Sequence, residues 1–151
     1  MPGTRLSSAA GLHRLIYVSR DRTPDASGPA ETLAAIVRQA EHHNAEAAVT
    51  SLLLAHEGCF LQALEGPGPA VMAVFRRIYG DPRHGELRVI ISGAVERREF
   101  GGWSLCARRP ERDDAPILAA LGQGEAFDPD RLSCRTSLWL LMAMRSARAF
   151  A

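Results

Sequence analysis

The sequence predicts an α/β (α+β) sandwich of the ferredoxin-like kind, in βαββαββ order, followed by two more helices. Three observations carry this. Short runs rich in β-branched and aromatic residues alternate with stretches of helical periodicity. A turn signal at His56-Glu57-Gly58 joins the second and third runs as a hairpin. The central runs are apolar at consecutive positions, so both faces of a mixed five-stranded sheet need cover. Two helices are expected on one face and the C-terminal pair on the other.

Residues 1–11 are small and polar and are expected to form a flexible N-terminus. Leu12–Ser19 reads as the first strand, with Leu15, Tyr17 and Ser19 on one face and Ile16 and Val18 on the other. Residues 20–30 are dense in Asp, Pro, Gly and Ser and form a loop. Glu31–His43 carries Leu33, Ile36, Val37 and Ala40 at helical spacing. Ala48–Ala55 and Cys59–Glu65 are the hairpin strands. After Gly66-Pro67-Gly68-Pro69 a second helix runs from Ala70 to Tyr79 and stops at Gly80-Asp81-Pro82. Leu87–Val95 is a fourth strand, and Phe100–Ala107 a fifth, weakened by its glycine pair. Ala115–Leu121 and Ser133–Ala149 are the closing helices. The chain therefore divides into 1–11, a principal domain at 12–107 and a C-terminal helical cap at 108–151.

Composition excludes several functions. The 151 residues suit one domain with a full core. Eighteen basic and 17 acidic side chains leave a net charge of +1, which offers no field for nucleic acid or an anionic membrane. Every basic residue is arginine, so chemistry that needs a Schiff-base or P-loop lysine is absent. Cys59, Cys106 and Cys134 form no CxxC, which disfavours zinc ribbons, thioredoxin motifs and disulfide frameworks. No signal peptide or membrane span is legible, so a cytoplasmic location is expected. His42 and His43 diverge on a helix and no HxxxH occurs, so no metal is expected.

Three polar residues fall inside apolar elements. Gln62 lies within Phe60-Leu61-Gln62-Ala63-Leu64, where a carboxamide needs hydrogen-bond partners. Tyr17 lies mid-strand with a phenol that also needs one. Asn44 ends the first helix. Taken singly, Asn44 reads as a left-handed C-cap, Gln62 as a structural hydrogen bonder and Tyr17 as core. Together they suit a flat, neutral heterocycle with alternating donors and acceptors. Glu65 and Asp81 read as a strand-end carboxylate and a helix-end turn residue rather than an acid–base pair.

From Leu12 to Leu105 the sequence resembles the BLUF family of flavin-binding blue-light sensors. RLIYVS resembles its first strand, with Tyr17 in place; HHNAEA its helix end, with Asn44; and GCFLQALEG its most specific string, with Gln62. DPRHGEL resembles its Arg-His turn, here Arg83 and His84, and RREFGGWSL its final segment, with Trp103. Five blocks in order are a specific match. The resemblance implies a flavin held without a covalent bond, FAD foremost, with FMN and riboflavin also compatible because no phosphate-specific motif appears. It implies that His43, Asn44, Arg83 and His84 line the flavin. It also implies that Tyr17 gives up an electron and a proton under blue light, and that Gln62 then rearranges to donate a bond to the flavin O4. The output is a changed hydrogen bond, so the implied protein is a switch and not an enzyme. A short, stand-alone receptor is expected, acting on a downstream protein or a second copy of itself, with Trp139, Met142 and Met144 as candidate apolar surface.

Some positions depart from the family pattern. Leu105 stands where many members carry a methionine that, with Trp103, serves signal relay. Ser51 stands where glycine is usual, and Ala55 where an aromatic is common. Cys59 superficially resembles the cysteine of LOV photosensors, but Gly58 and Phe60 replace the flanking asparagine and arginine of that motif. Two other classes compete: a flavin-free ferredoxin-like interaction module, and a small acyl-phosphate hydrolase using Asn44 and Arg83.

Overall fold

A continuous buried run from Arg14 to Ser19 forms the middle of β1 (Leu12–Asp21), which pairs antiparallel with two later strands, one on each side. The protein's structure is a computed structural model and describes residues 11–22, 35, 36, 38, 48–101, 106–123 and 127–149. β2 (Thr50–His56), β3 (Cys59–Pro67), β4 (His84–Ala94) and β5 (Cys106–Arg108) complete a five-stranded sheet of order β4-β1-β3-β2-β5. All pairs are antiparallel except β2–β5, which is parallel, so the sheet is mixed as expected.

The β2–β3 hairpin closes on two residues, Glu57 and Gly58, both at positive φ (47° and 76°). That is the primed-turn geometry whose twist matches paired strands. At the other end of β3, Gly66 is required by close approach. A Cβ there would lie 2.9 Å from the Ala48 carbonyl oxygen and 3.2 Å from Val49 Cα.

Both faces are covered. α1 (Gly68–Tyr79) lays Val71 and Val74 on Leu15, Tyr17 and Leu64. On the same face Ile36 packs on Leu53 and Phe60, and residues 35, 36 and 38 are helical. The remainder of the helix expected over Glu31–His43 lies outside the described residues. α2 (Ala115–Ala120) and α3 (Cys134–Ala149) cover the opposite face, where Leu118, Leu140, Leu141 and Met144 meet Ile16, Val18, Leu52, Leu54 and Leu61.

Three local expectations are corrected. The fifth strand is Cys106–Arg108; Phe100 and Gly101 are not in it, and residues 102–105 lie outside the described set. The backbone N–H groups of Glu99 and Phe100 donate to the Glu65 carboxylate, which takes the bonds a ladder would need. β1 and β4 run longer than expected, because Asp21 and Arg20 pair with His84 and Gly85 past an irregularity in register. Met144 is fully buried under the sheet and cannot serve as surface, whereas Trp139 is 52% exposed beneath Arg135.

Candidate functional site

Register decides the site. Tyr17 on β1 stands directly opposite Gln62 on β3, and the period of two points both side chains to the α1-covered face. The Tyr17 hydroxyl donates to Gln62 Oε1 at 2.5 Å, with Tyr17 0% and Gln62 4% exposed. From the other flanking strand, Ser51 on β2 accepts from Gln62 Nε2 at 3.4 Å. The carboxamide's second N–H has no partner among the described residues. A buried donor without an acceptor is costly, so this atom fits a bound group that presents one.

The Tyr17 ring is held edge-on by Phe75 of α1 at 6.1 Å and by His84 at 5.9 Å between centroids. His84 also meets Phe60 at 4.9 Å and shares a 2.8 Å hydrogen bond through Nδ1 with the Ser19 hydroxyl. Ser19 and Tyr17 are two residues apart on one strand face, so β1 presents them to His84 together. Burial pushes the Tyr17 phenol well above its ordinary 10.0, and the Asp81 charge adds to the shift. Burial likewise holds the His84 imidazole below 6.5; Asp81 and Asp21 oppose this and Arg83 reinforces it.

The α1–β4 turn is organised by Asp81. Its carboxylate accepts from the Arg83 backbone N–H at 2.9 Å and from the Arg83 guanidinium at 2.5–3.0 Å through both oxygens. Burial works to raise the Asp81 pKa, but the Arg83 hydrogen bonds and charge, with His84, outweigh it and hold the carboxyl below its usual 3.8. Arg83 is therefore clamped two residues from Asp81, a pairing that only the Asp-x-Arg spacing signals in the sequence.

Of the candidate site residues, Tyr17, Gln62 and His84 come together, and Arg83 sits beside them on the same turn. His43, Asn44, Trp103 and Leu105 lie outside the described residues. Cys59 is buried on the face opposite Gln62, among residues packed under the C-terminal helices. Burial pushes its thiol up, with Arg20 opposing, so the pair on the α1 face has no thiol beside it from this position. Glu65 is fully buried, and sequence reasoning missed its role. It accepts from Arg14 Nε at 2.7 Å and from two backbone N–H groups, which ties the segment preceding β5 to the end of β3. No cluster of three or more His, Cys, Asp or Glu suited to a metal occurs among the described residues, and no described helix is long and apolar enough to cross a membrane.

The molecule is thus an α+β domain of ferredoxin-like fold with a buried phenol–carboxamide pair on its helix-covered face. The chain belongs to the BLUF family, sensors of blue-light using FAD, whose model matches residues 12–106. It is 32% identical over 111 residues to the photoactivated adenylate cyclase subunit beta of Euglena gracilis, covering 73% of this chain and 13% of that protein. It is 35% identical over 106 residues to the blue light- and temperature-regulated antirepressor BluF of Escherichia coli strain K12, covering 68% of this chain and 26% of that protein. The chain therefore spans only a minor part of these relatives. Among solved structures, the dark state of BlrB, a BLUF protein, superposes with a TM-score of 0.73 at 27% identity, over 93% of this chain and 98% of that one. Photo-activated BlsA superposes at 0.78 and 22% identity, over 86% and 91%, a likeness of fold.

Proposed function

We propose that this chain is a blue-light receptor that holds FAD on the α1-covered face and switches through Tyr17 and Gln62. The observation that carries the reading is the buried 2.5 Å hydrogen bond from Tyr17 to a glutamine whose second N–H has no partner among the described residues. The acceptor-rich edge of a flavin suits that donor. Asn44 and His43 would hold the ring, with Arg83 and His84 closing the site from the α1–β4 turn. A bound flavin supplies blue absorption and, when excited, a strong oxidant.

The rest is the work of this chain's own atoms. Burial excludes water from the Tyr17 Oη proton and keeps the phenol neutral in the dark, the form able to release an electron and a proton together. Rearrangement of the Gln62 carboxamide, by rotation or tautomerisation, exchanges donor and acceptor at the edge it presents. Trp103 and Leu105 then relay the change. The output is an altered contact with a downstream protein or a second copy, in the cytoplasm, without turnover of a substrate by this chain.

Substitution of Gln62 tests the reading. Gln62→Leu, loaded with FAD, retains flavin absorption and loses the reversible red shift after blue light. A red shift of wild-type size in that variant contradicts the switch. A wild-type protein that refuses added flavin favours the flavin-free interaction module instead.

A further inference from the structure

We propose that Ser51 is a positioning residue that tethers the Gln62 carboxamide and slows its return after light, a role that rests on the Tyr17–Gln62 reading with the carboxamide rotating. Gln62 sits on β3 between β1 and β2, and each flanking strand supplies it one hydroxyl. Tyr17 lies directly across at 2.5 Å from Oε1; Ser51 lies diagonally, opposite Leu64, at 3.4 Å from Nε2. Ser51 is fully buried on the same sheet face, so water does not compete for the contact.

The chemistry of the two hydroxyls differs. The Tyr17 hydroxyl is committed as donor to Oε1, which fixes the dark orientation of the amide. A serine hydroxyl can accept from an N–H and, by turning about its C–O bond, can donate to a carbonyl. With Nε2 toward β2, Ser51 accepts; with Oε1 toward β2, the same hydroxyl donates. Both end states keep a bond to Ser51, while the half-turned amide between them has none. A group that stabilises both ends and not the middle raises the barrier in both directions. The contact is long at 3.4 Å, so its effect is that of one modest neutral hydrogen bond. Glycine or alanine at this position provides no such tether.

The test compares wild type, Ser51→Ala and Ser51→Thr with two readouts, the first on FAD-loaded and the second on flavin-free protein. The first is the dark-recovery rate of the red-shifted state. The second is the dark-state NMR resonance pair of the Gln62 side-chain amide in glutamine-labelled protein without flavin, assigned by its disappearance in Gln62→Leu. The tether predicts recovery about 2- to 10-fold faster in Ser51→Ala, a displaced Gln62 amide pair, and both properties returned toward wild type by the threonine hydroxyl. Wild-type recovery and an unmoved amide pair in Ser51→Ala overturn the proposal, even if Ser51→Thr fails to fold. Faster recovery in Ser51→Ala that Ser51→Thr, folded, does not reverse also overturns it, because a packing effect would explain the change. A wild-type protein with no red shift overturns the underlying switch, whereas a normal red shift with an indifferent Ser51→Ala overturns the tether alone.

Discussion

A primary carboxamide carries two donors and an acceptor oxygen, and at Gln62 the oxygen is taken by a phenol that has no access to water. Removing that phenol's hydroxyl leaves Oε1 buried without its donor. Tyr17→Phe is expected to cost about 1–3 kcal/mol in denaturant unfolding and to abolish the red shift; a variant as stable as wild type would mean that Oε1 finds another donor. Titration offers an independent check on the same pair. Tyr17 keeps its proton in the native state at pH values where the unfolded chain, near 10.0, has lost it. Its contribution to stability is thus complete below pH 10 and declines as pH rises further, by up to about 1.4 kcal/mol per unit. His84 works at the other end of the scale. Its native pKa lies below the unfolded 6.5, so stability is full above that value and falls as acid protonates the unfolded chain first. Unfolding free energies of wild type and His84→Gln, measured from pH 8 to pH 5, should converge as pH falls; parallel curves would mean that the imidazole is solvated.

At the scale of elements, the buried Glu65 holds two structures at once, the Arg14 side chain of β1 and the backbone of Glu99 and Phe100. Glu65→Gln strips the charge from that arrangement and leaves a buried guanidinium uncompensated. The expected loss is about 3–5 kcal/mol, with faster hydrogen exchange at Phe100; a loss under about 1 kcal/mol would place Arg14 in solvent. This carboxylate also explains what could be read beforehand and what could not. Strand faces were legible, because Leu15, Tyr17 and Ser19 alternate with Ile16 and Val18 at a period local to the chain. The hairpin was legible from Glu57-Gly58. The short fifth strand was not, since the group that diverts Glu99 and Phe100 from a ladder lies more than thirty residues earlier. The same limit applies to the site. Polar residues inside apolar runs marked Tyr17 and Gln62, but the partnership of Gln62 with Ser51 depends on the register of β2 against β3, which no local pattern encodes.

Across the whole molecule, the C-terminal helix reaches the same segment from the other face. Arg145 of α3 donates to the Glu99 carbonyl, approaches its carboxylate at 3.5 Å and lies 5.9 Å over the Phe100 ring. Arg108 of β5 donates to the Met144 carbonyl at 2.5 Å and pairs with the buried Asp114 at 3.2 Å. The end of β3, the segment before β5 and α3 therefore form one connected set of contacts. Arg145→Ala is expected to cost about 1 kcal/mol and to raise hydrogen exchange in α3 while leaving β1 protected; uniform loss of protection would mean that the sheet and helix open as one unit. The central claim is that light alters the hydrogen bonding of a flavin through Tyr17 and Gln62. The most direct measurement is the visible absorption spectrum of the FAD-loaded protein before and after blue illumination. A flavin spectrum that shifts slightly to the red without bleaching, and returns in the dark, is the predicted result. Lasting bleaching without a shift, the mark of reduction or of a thiol adduct, would contradict it.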